Sequence, residues 1–187
     1  MSIATKTGDN GTTGRLYGTR VNKTSVHIAA VGDIDELNAA LGLARAHMKS
    51  DKIAVKLQSV QKNLTLLMGE VVAEASKRKE YYSKFNSLGD FDLEDLENEI
   101  VSLEKDPRTK QKDWVLYGAS IIGAHCDFAS KVCRRAERSL LNVKEHEELD
   151  VSLDESEKLR SLLFKYLNRL SDFLHLLARY FDSIKKA

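Results

Sequence analysis

Residues 155–184, ESEKLRSLLFKYLNRLSDFLHLLARYFDSI, read as one long helix with apolar residues on nearly every side. Phe164, Leu167, Leu170, Phe173, Leu174, Leu177, Ala178 and Phe181 cover most of its circumference. A helix of this kind is buried on several sides, so other helices must surround it. The rest of the chain supplies them. Residues 26–49 place Val26, Ala29, Ala30, Ile34, Leu37, Leu41 and Ala44 at spacings of three and four. Residues 53–76 repeat the pattern with Val55, Leu57, Val60, Leu64, Leu67, Met68, Val71 and Val72. A shorter helix fits 91–105 and stops before Pro107. Another fits about 118–142, and Asp154 is placed to cap the last one. Segments 77–90 and 106–113 read as polar connections, and 144–153 as an acidic linker. The expected fold is therefore all-α: a five-helix bundle with up-down packing of the ferritin-like kind, in one domain spanning 1–187.

Composition agrees. Among 187 residues there is one proline and ten glycines, so little breaks a helix. Net charge is +1, which argues against a general nucleic-acid binder. A chain of this length can bury roughly 70% of its unfolded surface without a staple. Cys126 and Cys133 are the only cysteines and read as buried thiols in a reducing compartment. No apolar run approaches the roughly 20 residues that span a bilayer, and the start of the chain lacks a signal-peptide apolar region. The expectation is a cytoplasmic protein with no membrane partner.

Four groups of polar residues interrupt this scheme. Residues 1–25 form the first. The stretch TKTGDNGTTGRLYGTRVNKT, from Thr5 to Thr24, holds four of the ten glycines and is expected to be an ordered loop. Gly8, Gly11 and Gly14 let backbone amides converge on an anion. Thr7, Thr12 and Thr13 add hydroxyls, and Lys6 and Lys23 add charge. It lacks the Gly-Lys-Ser/Thr end of a Walker A loop, and a mobile tail is the alternative. The second group is Arg134 and Arg138, four apart on one helix face, with Glu137 placed to orient Arg134 and Arg135 directed elsewhere. Two aligned guanidiniums can grip phosphate oxygens; a surface Arg/Glu ladder is the alternative. The third is Asp33, Asp35, Glu36 and Asn38 within an apolar run, a first-turn acidic cluster or a set of partners for distant cations. The fourth is Asn168, Asp172, His175 and Arg179, a single stripe on the last helix that faces either solvent or a cleft.

In order and spacing, TKTGDNGTTG with GTRVNK, then VGDIDELNAALG, CRRAERSL and YLNRLSDFLHLLARY resemble the PduO-type ATP:cob(I)alamin adenosyltransferases. The resemblance covers most of the chain outside 77–113. It implies a homotrimer with ATP bound between neighbouring subunits, and corrinoid as the second substrate. By position, Thr5, Lys6, Thr7, Gly8, Thr13 and Lys23 would cradle the nucleotide. Arg134, Arg135, Glu137 and Arg138 would contact the triphosphate or its Mg²⁺, Asn168 would hold the ribose or adenine side, and Asp35 would serve the subunit interface. Trp114 stands where the family commonly has phenylalanine and would be the apolar wedge that drives the lower ligand off cobalt. The cobalt is the implied nucleophile, so the protein's task is placement and charge stabilisation, with Arg134, Glu137 and Asp35 as the catalytic set and no metal centre of its own.

Departures from the family's pattern gather on the corrinoid side. Trp114-Val115-Leu116-Tyr117-Gly118-Ala119 replaces Phe-Val-Leu-Pro-Gly-Gly. Ser130 replaces an arginine that pairs with the residue matching Asp35, so Asp35 is expected either to find another partner or to be hydrated. Asp127 replaces a histidine, and His175 an aromatic residue. A relative that binds nucleotide as a sensor, with altered corrinoid chemistry, and a bundle with only an interaction role are therefore the competing readings.

Overall fold

The computed structural model describes residues 4–48, 52–111, 113–150, 152–154 and 158–184. It is helical apart from one small hairpin, β1 (Thr12–Gly14) against β2 (Arg20–Asn22), antiparallel with Thr13 opposite Val21. Six helices follow: α1 (Val26–Ala46), α2 (Lys52–Val72), α3 (Arg78–Lys84), α4 (Asp90–Lys105), α5 (Ile121–Glu148) and α6 (Ser161–Ile184). The expected bundle is present, with α3 as a short addition to its five longer helices.

α5 lies between α1 and α6; α2 packs on the far side of α1, and α4 on α6. Ile34, Leu37 and Leu41 of α1, Leu57, Leu64 and Leu67 of α2, Leu140 of α5 and Leu163, Leu167, Leu170 and Leu174 of α6 are fully buried together. Apart from Leu140 and Leu163 these are positions of the sequence pattern, each contributing roughly 1.5–3 kcal/mol by leaving water; Ala29 and Val55 of that pattern are instead exposed. Cys126 and Cys133 are buried free thiols in the same core. α2 and α4 are bridged by side chains: Lys56 pairs with Asp95, and Asn63 donates to Asp92 at 3.1 Å.

The second helix ends at Val72, short of the expected residue 76, and the helix boundaries differ from expectation in three further places. Residues 77–90 are not merely a solvated connection: they contain α3, and Arg78, Tyr81 and Leu88 are buried. Tyr81 lays its hydroxyl against Gly69, where no side chain intervenes, and donates to the Leu66 carbonyl at 3.2 Å. The expected acidic linker at 144–153 is helical through Glu148, and Glu147 is buried. Both differences share one cause. Arg78 donates to Glu147 at 2.9 and 2.5 Å, and His27 lies 3.0 Å from the same carboxylate. Charged residues that look solvated locally are buried because their partners lie far along the chain. Asp154 is not the cap of α6, which begins at Ser161; residues 155–157 of the expected helix, and Lys49 at the end of the first, lie outside the described residues.

Candidate functional site

The N-terminal segment is an ordered hairpin, not a tail. Gly11, at φ +76°, makes the turn that lets its carbonyl accept from the Lys23 amide at 2.8 Å. Arg20 ties the two ends together, donating to the Thr7 carbonyl at 2.6 Å and to the Thr12 hydroxyl at 2.8 Å. Thr5 and Thr7 share a hydrogen bond of 3.0 Å. A Cβ on Gly8 would sit 3.0 Å from Nζ of Lys23, so glycine there admits the ammonium close to the backbone. Lys6 has φ +57°, a conformation that non-glycine residues rarely adopt and that clusters at ligand sites. Thr5, Lys6, Thr7 and Lys23 are thus exposed, with Lys23 against Gly8 and Thr13 on the adjoining strand β1.

On α5, neighbouring arginines have different fates. Arg135 turns to α1, donating to Asp33 at 3.0 Å and pairing with Glu36, and these hydrogen bonds raise its pKa. Ser139 bonds the other oxygen of Asp33. Arg134 and Arg138 are exposed and have no carboxylate partner among the described residues; Arg138 donates to the Arg134 carbonyl at 3.1 Å. Glu137 accepts from Asn168 of α6 at 3.1 Å, rather than holding Arg134. Asn168 accepts in turn from Arg169 at 2.7 Å, and Arg169 donates to Glu97 of α4 at 3.0 Å. A relay across three helices therefore joins Glu137, on the helix that carries these two arginines, to Asn168.

The opposite wall lies at the other end of α5 and α6. Trp114 is 93% exposed and Leu116 86%. Together with Arg108, Lys110, Val115 and Arg179 they line a cavity of about 510 Å³. Beneath it Arg179, buried, pairs with Asp127 and lies 3.1 Å from Asp182. Asp182 accepts from Ser120 at 3.0 Å, and the same Ser120 hydroxyl caps α5 by accepting from the Gly123 amide at 2.9 Å. His175 Nδ1 lies 3.8 Å from Asp127, and no group of three or more metal-ligating side chains exists among the described residues. The stripe on α6 thus divides: Asn168 and Arg179 face other helices, while Asp172 is exposed.

Asp35 is exposed and unpaired among the described residues, so the hydrated alternative holds within the chain. Ser130 is buried and donates to the Ser171 carbonyl at 3.0 Å, leaving no orphaned charge where an arginine is missing. Within one chain no hydrogen bond or ion pair joins the hairpin to Arg134 or Arg138 among the described residues; the hairpin sits by the last turn of α2. Sequence reasoning did not find the Arg78–Glu147–His27 cluster or the role of Arg15, whose guanidinium reaches α2. No local pattern announces either contact.

A family model described as cobalamin adenosyltransferase matches residues 3–181. The corrinoid adenosyltransferase PduO of Citrobacter freundii is 33% identical over 188 residues, covering 97% of this chain and 50% of that protein. The chain therefore spans about half the length of that relative. The cobalamin adenosyltransferase of Cupriavidus metallidurans is 36% identical over 179 residues, covering 95% of this chain and 86% of that protein. A variant PduO-type ATP:corrinoid adenosyltransferase from Lactobacillus reuteri, solved with cobalamin and ATP, has the same fold, with a TM-score of 0.83 at 23% identity over 99% of this chain and 93% of that one.

Proposed function

This chain belongs to the cobalamin adenosyltransferase family, and from that membership we propose that it transfers the 5′-deoxyadenosyl group of ATP to cob(I)alamin. The cobalt electron pair attacks the 5′-carbon, a cobalt–carbon bond forms, and the carbon–oxygen bond breaks with its pair going to the departing triphosphate. No side chain is needed as nucleophile. The protein's work is to align the 5′-carbon and to meet the charge that develops on the leaving group.

One observation carries this reading: Arg134 and Arg138 lack carboxylate partners among the described residues, while Arg135 between them is paired with Asp33 and Glu36 of α1. Cations held apart from carboxylates are suited to a polyanion. Lys6 and Lys23 on the hairpin are likewise unpaired by carboxylates among the described residues, and Gly8 brings backbone close to the same place. Glu137, which accepts from Asn168, would meet the triphosphate or its Mg²⁺ beside the arginines, and Asn168 the ribose or adenine side. Because no hydrogen bond or ion pair joins the hairpin to Arg134 among the described residues, we assign the complete nucleotide site to the boundary between two copies in a homotrimer. Exposed, unpaired Asp35 belongs at that boundary. Trp114 and Leu116 present apolar surface to the corrinoid. A reducing, cytoplasmic setting suits the two free thiols and the reduced corrinoid.

The test is direct. ATP and chemically reduced cob(I)alamin are added to the protein, and cob(I)alamin absorbance is followed. Decay with formation of adenosylcobalamin and triphosphate is expected. ATP binding with no decay would instead favour the nucleotide-binding sensor, a reading to which the polar Asp127–Arg179–Asp182 floor lends its support. Absence of both would leave an interaction role.

A further inference from the structure

We infer that Arg15 is a positioning residue for the nucleotide: its guanidinium, docked on the carbonyls that end α2, sets the height and angle of the hairpin that carries Lys6, Gly8 and Lys23. The inference rests on the hairpin being the nucleotide loop.

The hairpin cannot hold itself in place. Its strands are three residues each, and an isolated two-stranded ribbon is marginal in water. None of residues 4–26 is buried, so no apolar side chain anchors it in the core. Among the described residues, its hydrogen bonds to α2–α6 all come from one side chain. Arg15 Nε donates to the Val72 carbonyl at 2.9 Å, and Nη2 donates to the Ala73 carbonyl at 2.7 Å. A lesser contact places the Lys84 ammonium 5.5 Å from the Tyr17 ring.

The acceptor site matches the donor. The last carbonyls of a helix have no intrahelical partner, and they carry the negative end of its dipole. A guanidinium presents two parallel N–H donors in a rigid fork; a lysine would reach one carbonyl as a point charge. The Arg15 backbone lies inside the turn, its amide donating to Thr19 at 2.8 Å and its carbonyl accepting from Gly18 at 3.4 Å. Movement of the guanidinium therefore moves the turn as a unit. Tyr17, at φ +71°, holds that turn in an uncommon conformation one residue from Gly18.

The test compares wild type, Arg15→Ala and Arg15→Lys. In the absence of nucleotide, hydrogen exchange of the hairpin amides should be faster in Arg15→Ala while α1 and α6 keep their protection. Calorimetric Kd for ATP should rise about tenfold or more, the equivalent of about 1.4 kcal/mol of lost preorganisation. KM for ATP should rise with kcat at saturating ATP nearly kept, and KM for the corrinoid should not move. Arg15→Lys should recover part of the affinity. Wild-type exchange and ATP affinity in Arg15→Ala would overturn the inference. So would a lowered Tm with unchanged ATP affinity, which would make Arg15 only a cap for α2. Failure of the wild-type protein itself to bind ATP would sink the nucleotide-loop reading, and the positioning role with it.

Discussion

Arg134 and Arg135 are adjacent, share a helix and have identical chemistry, yet only Arg134 is left for a ligand. The difference comes from Asp33 and Glu36, which sit across from Arg135 on α1 and take its donors. Under the proposed activity, replacing Arg134 with alanine would remove a cation that faces the departing triphosphate, so kcat/KM should fall by about 10²–10³ with Tm unchanged. Steady-state rates and a thermal melt check both parts. Glu147 is the reverse case, a charge whose value is structural. Burial pushes its carboxyl up, but hydrogen bonds from His27 and Arg78 and the charge of Arg78 outweigh that and hold it at about 2, below the ordinary 4.5. A depressed carboxyl stabilises the fold while ionised. Its contribution is therefore in place above about pH 4.5 and is lost as pH falls from there through about 2. Glu147→Gln leaves buried Arg78 without its counter-charge and should cost about 3–5 kcal/mol in denaturant unfolding at neutral pH. The same variant should show a shallower loss of stability between those two pH values. Neither Arg78 nor Glu147 is distinctive in the sequence, where both belong to charged runs; their role follows from a pairing 69 positions apart.

Elements meet where side chains are small. Gly123 lies so close to the Asp182 carboxylate that any Cβ would displace it. That carboxylate holds the Ser120 hydroxyl capping α5 and flanks Arg179 below the Trp114 segment. Gly123→Ala should thus loosen the junction of α5 with α6, at a cost of about 1–3 kcal/mol. Chemical denaturation measures the loss, and the effect on corrinoid KM should exceed that on ATP KM because the hairpin lies elsewhere. Core packing gives a simpler contrast. Leu167 on α6 is fully buried, whereas Phe91 on α4 is 77% exposed. Leu167→Ala should destabilise by about 2–5 kcal/mol, while Phe91→Ala should fall within about 0.5 kcal/mol, both read from urea midpoints. The amphipathic periods of α1, α2, α4 and α6 are legible in the chain because apolar spacing records which face is buried. α3 is not legible: it is seven residues long and held by Tyr81 against Gly69 and by Arg78 against Glu147.

At the scale of the molecule, no hydrogen bond or ion pair joins the loop to Arg134 or Arg138 among the described residues, and the proposed activity needs them on one polyphosphate. Sedimentation should give three times the chain mass. Mixing an Arg134→Ala chain with a Lys6→Ala chain should restore part of the activity, since some boundaries in mixed trimers would carry neither change. If each variant lost activity and the mixture recovered none, shared sites would be excluded. No described helix is long and apolar enough to cross a membrane. The chain's own pattern determined the helical class, the bundle, the buried thiols and the loop as a place where glycine frees the backbone. Those properties depend on residues within a turn or two of each other, and local spacing encodes them. Tertiary structure alone decided that Arg134 has no carboxylate partner among the described residues while Arg135 does, that Asp35 is exposed, that Glu147 and Arg78 are interior, and that Arg15 reaches the end of α2. Each of these depends on Coulomb and hydrogen-bond partners brought close only by folding, and the energy of a charge depends on what stands within a few ångströms of it, wherever that neighbour lies along the chain.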